Sequence, residues 1–522
     1  MEHGAQSSES RFFDYVASLA AVVGREERAR PLKDYCTGLL MPGERKSVEP
    51  MAAVAAPAHV SAKHQSLLHL VGQGAWSDEA VLAKVRELVL PAIAAQGGIE
   101  AWIVDDTGFV KKGVHSVGVA RQYCGRLGKT DNCQVAVTLS IANHSASLVL
   151  GLDPRIAYRL YLPQDWANDP ARRTKAHVPD GLKFRTKPEI ALGQIRAALA
   201  AGLAPGVLLT DAAYGVNGAF RSGVTAMGLT YAMGVQPTLS VWPPEAGPLP
   251  LKPWSGRGRK PSRVRRDGDH APVSAKTLAR KLGQQAWRIV SWREGSNETL
   301  SSRFAAVRIR PASRDWKLST PHPLEWLLVE WPINDKAPTK YWLSTLPEDA
   351  PIEVLVDTAK LRWRIERDYE ELKSELGLAH FEGRGWRGFH HHATLCIAAY
   401  GFLIRERAAI PPSEPRRREK PRLSNRPRPR GAADPTRAAR RELDRDHPTT
   451  ADGRAGPKPL ALPVLPSDPT KTTLSGGHRD AVELTCRPDS RSQFCRSVIG
   501  IDAGAQSIGR KPPGRTGLVV RR

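Results

Sequence analysis

Cysteine is scarce in this 522-residue chain: Cys36, Cys124, Cys133, Cys396, Cys486 and Cys495 are all it has, with no CxxC pair and no zinc-ligand spacing. That excludes a disulfide scaffold or a zinc module and suits a reducing cytoplasm. Long apolar runs are also missing. No uninterrupted stretch approaches the roughly 20 residues that a membrane helix requires, and the start, MEHGAQSSESRFF, lacks the basic and apolar segments of a signal peptide. A cytoplasmic protein without a membrane segment is expected. Acidic residues are too few to balance the basic ones: 53 Asp and Glu face 77 Lys and Arg, a net charge of +24. Such an excess attracts a polyanion with salt-dependent affinity, and with membrane insertion disfavoured the expected partner is nucleic acid.

What is present is enough hydrophobic sequence, 41%, for a real core, and a length that suggests about two to four domains. Residues 11 to 95 carry helical periodicity, in Phe13-Val16-Leu19-Val22 and Val81-Val85-Leu88-Leu90. This helical N-terminal domain, 1–98, either grips DNA or caps the next domain, and no helix-turn-helix pattern decides between the two.

At Ala101 the texture changes. The run Ala101 to Val104 ends in Asp105 and Asp106, followed by Thr107-Gly108 and by Lys111 and Lys112. This reads as a buried strand delivering an acid to its own end. Strand-like segments at 116–124 and 133–141 predict a three-stranded antiparallel meander. A further strand at 145–150, a helix at 188–200 and a strand at 206–210 follow, and the last ends in Asp211. Beyond it, 214–227 reads as a helix and 229–235 as a strand. The core's first part thus spans 99–235. Residues 236–346 read as a β-rich insertion with a basic loop, Arg257, Arg259 and Lys260, suited to lie along DNA. Residues 347–410 turn helical and complete the core. There Arg362, Glu366 and Lys373 share one face at helical pitch, beside an apolar stripe of Leu361, Ile365, Leu372 and Leu376.

Two acids at strand ends and a glutamate on a later helix are what a two-metal phosphoryl-transfer site needs, because hard Mg²⁺ prefers carboxylate oxygen. The nearby cations Lys111 and Lys112 are candidates for phosphate contact, with a solvated basic turn as the alternative. The consecutive His390, His391 and His392 splay around a helix and cannot easily converge on one ion, so packing or phosphate contact is expected of them.

DDTGF with KKG and SVGVARQYCG, then LLTDAAYG, then RWRIERDYEELKSELGLAHFEGRGWRGFHHH, resemble the bacterial DDE transposases of insertion sequences, in the insertion-sequence seven-hundred-and-one branch, over about residues 10 to 410. The resemblance implies an α/β fold with a ribonuclease H-like catalytic core built on a mixed sheet. It further implies Mg²⁺-dependent cleavage of double-stranded DNA at element ends, with Mn²⁺ able to substitute, and strand transfer into target DNA by at least a homodimer. Asp106, Asp211 and Glu366 are then the expected catalytic metal ligands, with Asp105 a neighbour that tunes the site. Arg362 and Lys373 match the R-x3-E-x6-K part of the signature of the related insertion-sequence-four group and are expected to contact DNA. Ala359 stands where that signature has tyrosine; Tyr369, on the same helix, is the substitute DNA contact. The alternatives are a catalytically impaired DNA-binding remnant and a ribonuclease H-like nuclease without strand transfer.

From 411 to 522 apolar periodicity disappears, and Lys and Arg outnumber Asp and Glu two to one. Such a tail is expected to be disordered. It is read either as a nonspecific DNA-binding segment or as out-of-frame translation after a frameshift.

Overall fold

The N-terminal periodicity is realised as five α-helices: α1 (Ser8–Ala20), α2 (Ala29–Leu40), α3 (Val48–Ala55), α4 (Val60–Gly72) and α5 (Asp78–Ala95). The structure is a computed structural model, and it describes residues 6–150, 158–294 and 299–409; the expected tail lies outside the described residues. The Ser7 and Ser77 hydroxyls cap α1 and α5 by accepting the N–H groups of Ser10 and Ala80. Helical spacing then sends Phe12, Val16 and Leu19 of α1 and Val81, Val85 and Val89 of α5 into the core.

The next segment holds β1 (Ala101–Val110), β2 (Ala120–Cys124), β3 (Lys129–Ala142), β4 (Ser147–Val149) and β5 (Tyr158–Leu160). After these come α6 (Gln164–Ala167), α7 (Pro170–Lys175), α8 (Lys187–Ala200), β6 (Val207–Thr210), α9 (Ala212–Gly215), α10 (Gly218–Ala226) and β7 (Tyr231–Val235). The remainder comprises β8 (Ser240–Trp242), β9 (Val273–Ser274), α11 (Ala275–Lys281), β10 (Arg288–Glu294), β11 (Thr299–Pro311), β12 (Glu325–Trp331), β13 (Lys340–Ser344), α12 (Ile352–Lys360), α13 (Trp363–Glu370) and α14 (Trp386–Ala409).

The strands form a mixed sheet ordered β2-β3-β1-β6-β7-β13-β12-β11-β8-β9. Among the described residues only the pairs β1–β6 and β6–β7 are parallel. The expected meander is therefore rearranged: β1 pairs with β3, and β2 lies outside β3. The reason is length. β3 has 14 residues against the ten of β1, and β2 takes the surplus Lys129–Asn132 end together with Cys133.

The β-rich stretch after residue 236 does not build a sheet of its own. β13 pairs antiparallel with β7, from Tyr341↔Val235 to Ser344↔Ala232, so that β12 and β11 extend the same sheet. Under this extension Val290, Phe304, Leu328 and Trp342 pack against Leu355, Val356 and Ala359 of α12.

The single helix expected after Pro347 is broken. α12 ends at Lys360, and i→i−3 bonds (Arg364 N–H to Leu361, Ile365 N–H to Arg362) restart the chain as α13. A π-turn at Glu371–Glu375 follows, and the segment stops at Gly377, whose φ of +70° suits glycine.

α14 runs through the core and ties the N-terminal helices to the sheet. Tyr15 of α1 donates to the Ala398 carbonyl (2.8 Å), and Thr394 donates to Asp78 (2.7 Å). The three histidines belong to this packing. His390 Nδ1 donates to the Trp386 carbonyl, His391 stacks on Trp76 with centroids 3.8 Å apart, and His392 bonds Tyr35 and the Gly377 carbonyl. Burial pushes them down to about 4, 3 and 4, which keeps them neutral near pH 7 and fits packing rather than phosphate contact.

Candidate active site

β1 and β6 are parallel with Ala101 opposite Val207 and Val104 opposite Thr210. Asp105 is the next residue of β1, and Asp211 follows the last residue of β6 with its backbone still extended. Side chains directly opposed in neighbouring strands share a face, and successive side chains alternate. Asp105 and Asp211 therefore belong to one face, and Asp106 belongs to the other.

Both faces are identified by their partners. Asp105 lies opposite Thr138 of β3, and the Thr138 hydroxyl bonds the hydroxyl of Tyr369 on α13. Arg362, at the start of α13, donates from Nη1 to Asp105 Oδ2 (2.8 Å) and from Nη2 to Glu366 Oε1 (2.6 Å). Asp106 turns the other way. Its Oδ2 accepts from Lys187 at the first turn of α8 (2.6 Å), and its Oδ1 accepts from the Tyr214 hydroxyl of α9.

The acids expected to act together are thus regrouped. Arg362 joins Glu366 to Asp105 and not to Asp106, because a one-residue step on a strand reverses the face. Asp211 is the N-cap of α9, where its Oδ1 accepts from the N–H groups of Ala213 (2.9 Å) and Tyr214 (3.4 Å). Glu366 is the accessible member, its side chain 64% exposed against 14% for Asp105.

Electrostatically, Asp211 acts on both strand acids. Burial pushes Asp105 up to about 7; Arg362 opposes the shift, and the negative charge of Asp211 adds to it. Burial also raises Asp106, with Lys187 and Tyr214 holding it back and the negative charge of Asp211 again adding to the shift. The Arg362 guanidinium is pulled down by burial, but Asp105, Glu366 and Asp211 outweigh this and raise it above its ordinary value.

The remaining expected contacts divide by exposure. Lys112, Arg257, Arg259 and Lys260 are exposed. Lys111 and Lys373 turn inward: Lys111 donates to the Phe381 carbonyl (2.8 Å), and Lys373 donates to the Gly108 carbonyl of β1 (3.0 Å). Burial lowers both, Lys373 to about 8. Tyr369 is buried, with its hydroxyl on Thr138, and presents no surface to DNA. In these positions Tyr369 ties α13 to β3, and Lys373 ties the following π-turn to β1.

Lys187 and Tyr214 were not singled out from the sequence. Thr186 and Glu189 form a capping box, a T-x-x-E pattern that marks the start of α8 and fixes Lys187 in its first turn.

The donor set is all-oxygen, as a hard divalent cation prefers, and burial together with the charge of Asp211 lifts Asp105, so that positive charge is called for there. In this conformation Arg362 supplies that charge. Among the described residues no three His, Cys, Asp or Glu side chains are already arranged to hold an ion.

On the far side of α13, Asp368 accepts from Ser147 and Tyr400 (both 2.8 Å) with Oδ1, while Oδ2 has no hydrogen-bond partner. Burial pushes it up to about 7. The folded state then binds more protons than the unfolded one between about pH 4 and 7. Its contribution to stability is accordingly full below about pH 4 and is lost as pH rises through 7. In urea titrations between pH 5 and 8, the wild type should lose on the order of 2 kcal/mol more than Asp368→Asn, which keeps the accepting Oδ1. Equal losses would mean that Asp368 is not the titrating group.

A family model described as DDE superfamily endonuclease matches residues 18–299, more than half of the chain. A stretch of 173 residues is 32% identical to a protein of Microchaete diplosiphon described as a probable transposase for insertion sequence element IS701. The match covers 33% of this chain and 40% of that relative's length.

Proposed function

Because the chain belongs to the DDE superfamily endonucleases, we propose that it is a transposase that cuts double-stranded DNA at the ends of an insertion sequence and joins the freed ends to target DNA. The observation that carries this reading is that Arg362 joins Asp105 to Glu366, with the charge of Asp211 acting on both Asp105 and Arg362. These three are the proposed metal ligands, with Asp105 in the position expected of Asp106. A ribonuclease H-like core is the proposed reading of β1, β3, β6 and β7, with α13 packed on β1 and β3.

Bound Mg²⁺, or Mn²⁺ in its place, would supply Lewis acidity at the scissile phosphate and at the attacking oxygen. The chain's own groups do the positioning. α9 carries Asp211 at its start, and Asp106 holds α8 and α9 through Lys187 and Tyr214. Lys112 and the loop with Arg257, Arg259 and Lys260 offer exposed positive charge to the DNA backbone. Among the described residues no helix is long and apolar enough to cross a membrane. Cutting two ends in one event calls for at least a dimer.

The test is a duplex carrying the repeats that flank the gene, incubated with purified protein. Nicked and joined products are expected in Mg²⁺, and neither in EDTA. Nicks without joined products would reduce the activity to that of a nuclease. No cleavage in either metal would leave a DNA-binding remnant.

A further inference from the structure

A cation bonded to two carboxylates at once sits among the proposed metal ligands. Arg362 bonds Asp105 and Glu366 at once, its side chain is only 24% exposed, and the charge of Asp211 also acts on it. Two carboxylates that must share an ion are already sharing a guanidinium. We infer that Arg362 is a built-in substitute for the metal: it neutralises the site in the ion-free protein, and it must leave Asp105 and Glu366 before a divalent cation can bind there.

The chemistry of the side chain supports the exchange. A guanidinium keeps its charge at every physiological pH and bonds two carboxylates through different nitrogens, so it can hold apart two acids that would otherwise repel. Once displaced, the same planar donors match a phosphate oxygen pair. A DNA phosphate that draws Arg362 away would free the carboxylates, so DNA and metal would each tighten the other's binding by the same factor. Off DNA, the enzyme would hold metal weakly and stay silent.

Lys187 provides the contrast. It too neutralises a strand acid at 2.6 Å, but that acid is Asp106, on the other face. Removing Lys187 lowers the local positive charge without clearing the space between Asp105 and Glu366.

This inference rests on the proposed ligand set, and titration calorimetry of Mn²⁺ into the full-length protein without DNA separates the two. R362Q should bind Mn²⁺ about tenfold more tightly than wild type, equivalent to about 1.4 kcal/mol, while K187Q should change affinity less than threefold or so. R362K keeps the charge but reaches only one carboxylate at a time, and should fall between wild type and R362Q; it serves as the test if R362Q does not fold. Affinity unchanged or weakened in R362Q, or in R362K where it stands in, overturns the inference, as does equal tightening by K187Q, which would make net charge the cause. If D105N weakens wild-type binding in that case, the ligand set survives without the substitution. If D105N leaves Mn²⁺ binding unaltered, the ligand set itself falls.

Discussion

Asp105→Asn should abolish metal-dependent DNA cleavage, by at least about 1,000-fold, a loss of roughly 4 kcal/mol of transition-state stabilisation. Asp106→Asn should cost about tenfold or less. The two acids are adjacent and similarly buried, so the contrast isolates the face on which each one stands. Asp105 shares its face with Asp211 and is bridged to Glu366 by Arg362. Asp106 is bound to Lys187 and Tyr214 on the other side. Asparagine at 106 can still accept from the Tyr214 hydroxyl and keep α9 in place, losing mainly the Lys187 ion pair. Asparagine at 105 removes a charged ligand. Asp211→Asn should resemble Asp105→Asn. The assay is single-turnover cleavage of the end-containing duplex, with circular dichroism to show that each variant is folded. The reverse ranking, with Asp106→Asn dead and Asp105→Asn active, would sink the assignment and restore the choice first drawn from family resemblance.

That choice shows where the sequence could be read and where it could not. An apolar run ending in an acid was visible at Ala101–Asp106 and again at Val207–Asp211, and both runs are strands. Which of the two adjacent acids matters is a question of register between strands more than 100 residues apart. In retrospect a hint existed. The runs Ala101–Val104 and 206–210 each stop one residue short of an acid, and aligning their ends sets Asp105 beside Asp211, as the Val104–Thr210 pairing does. The helix carrying Glu366 was legible from its apolar stripe, because Ile365 and Leu372 do pack inward. Its break at Leu361–Arg362 and the π-turn after Glu370 were not, and they explain why Lys373 reaches the Gly108 carbonyl instead of lying exposed beside Arg362. Strand order was misjudged for a related reason. Local pattern suggests that consecutive strands pair, whereas the greater length of β3 lets it serve β1 and β2 together. The β-rich stretch was recognised by composition, but only long-range pairing to β7 reveals that it widens the core sheet.

Gly215→Ala should be the most damaging change that touches no acid. α9 is a single turn between Asp211 and Gly215, and it lies directly on β7. A Cβ at Gly215 would come within 1.9 Å of the Gly234 carbonyl oxygen, an overlap with backbone that no rotamer can relieve. From the other side, a Cβ at Gly234 would stand 3.0 Å from the Ala212 nitrogen. Two glycines therefore set how closely α9 approaches the sheet, and Asp211 at the head of that turn takes its position from them. Alanine at 215 must push α9 off β7. The expected cost is about 3 kcal/mol of stability, as for other overpacked cores, read as a lowered urea midpoint with an unchanged slope. Cleavage should fall by about 100-fold even where the variant is fully folded, because a displacement of roughly 1 Å in a reacting geometry is enough for that. Tyr214 travels on the same turn, so its bond to Asp106 should also weaken. Tyr214→Phe, which removes that bond while keeping the glycine contact, should lose far less stability than Gly215→Ala. If Gly215→Ala is instead as stable and as active as wild type, the close seating of α9 on β7 does not position Asp211.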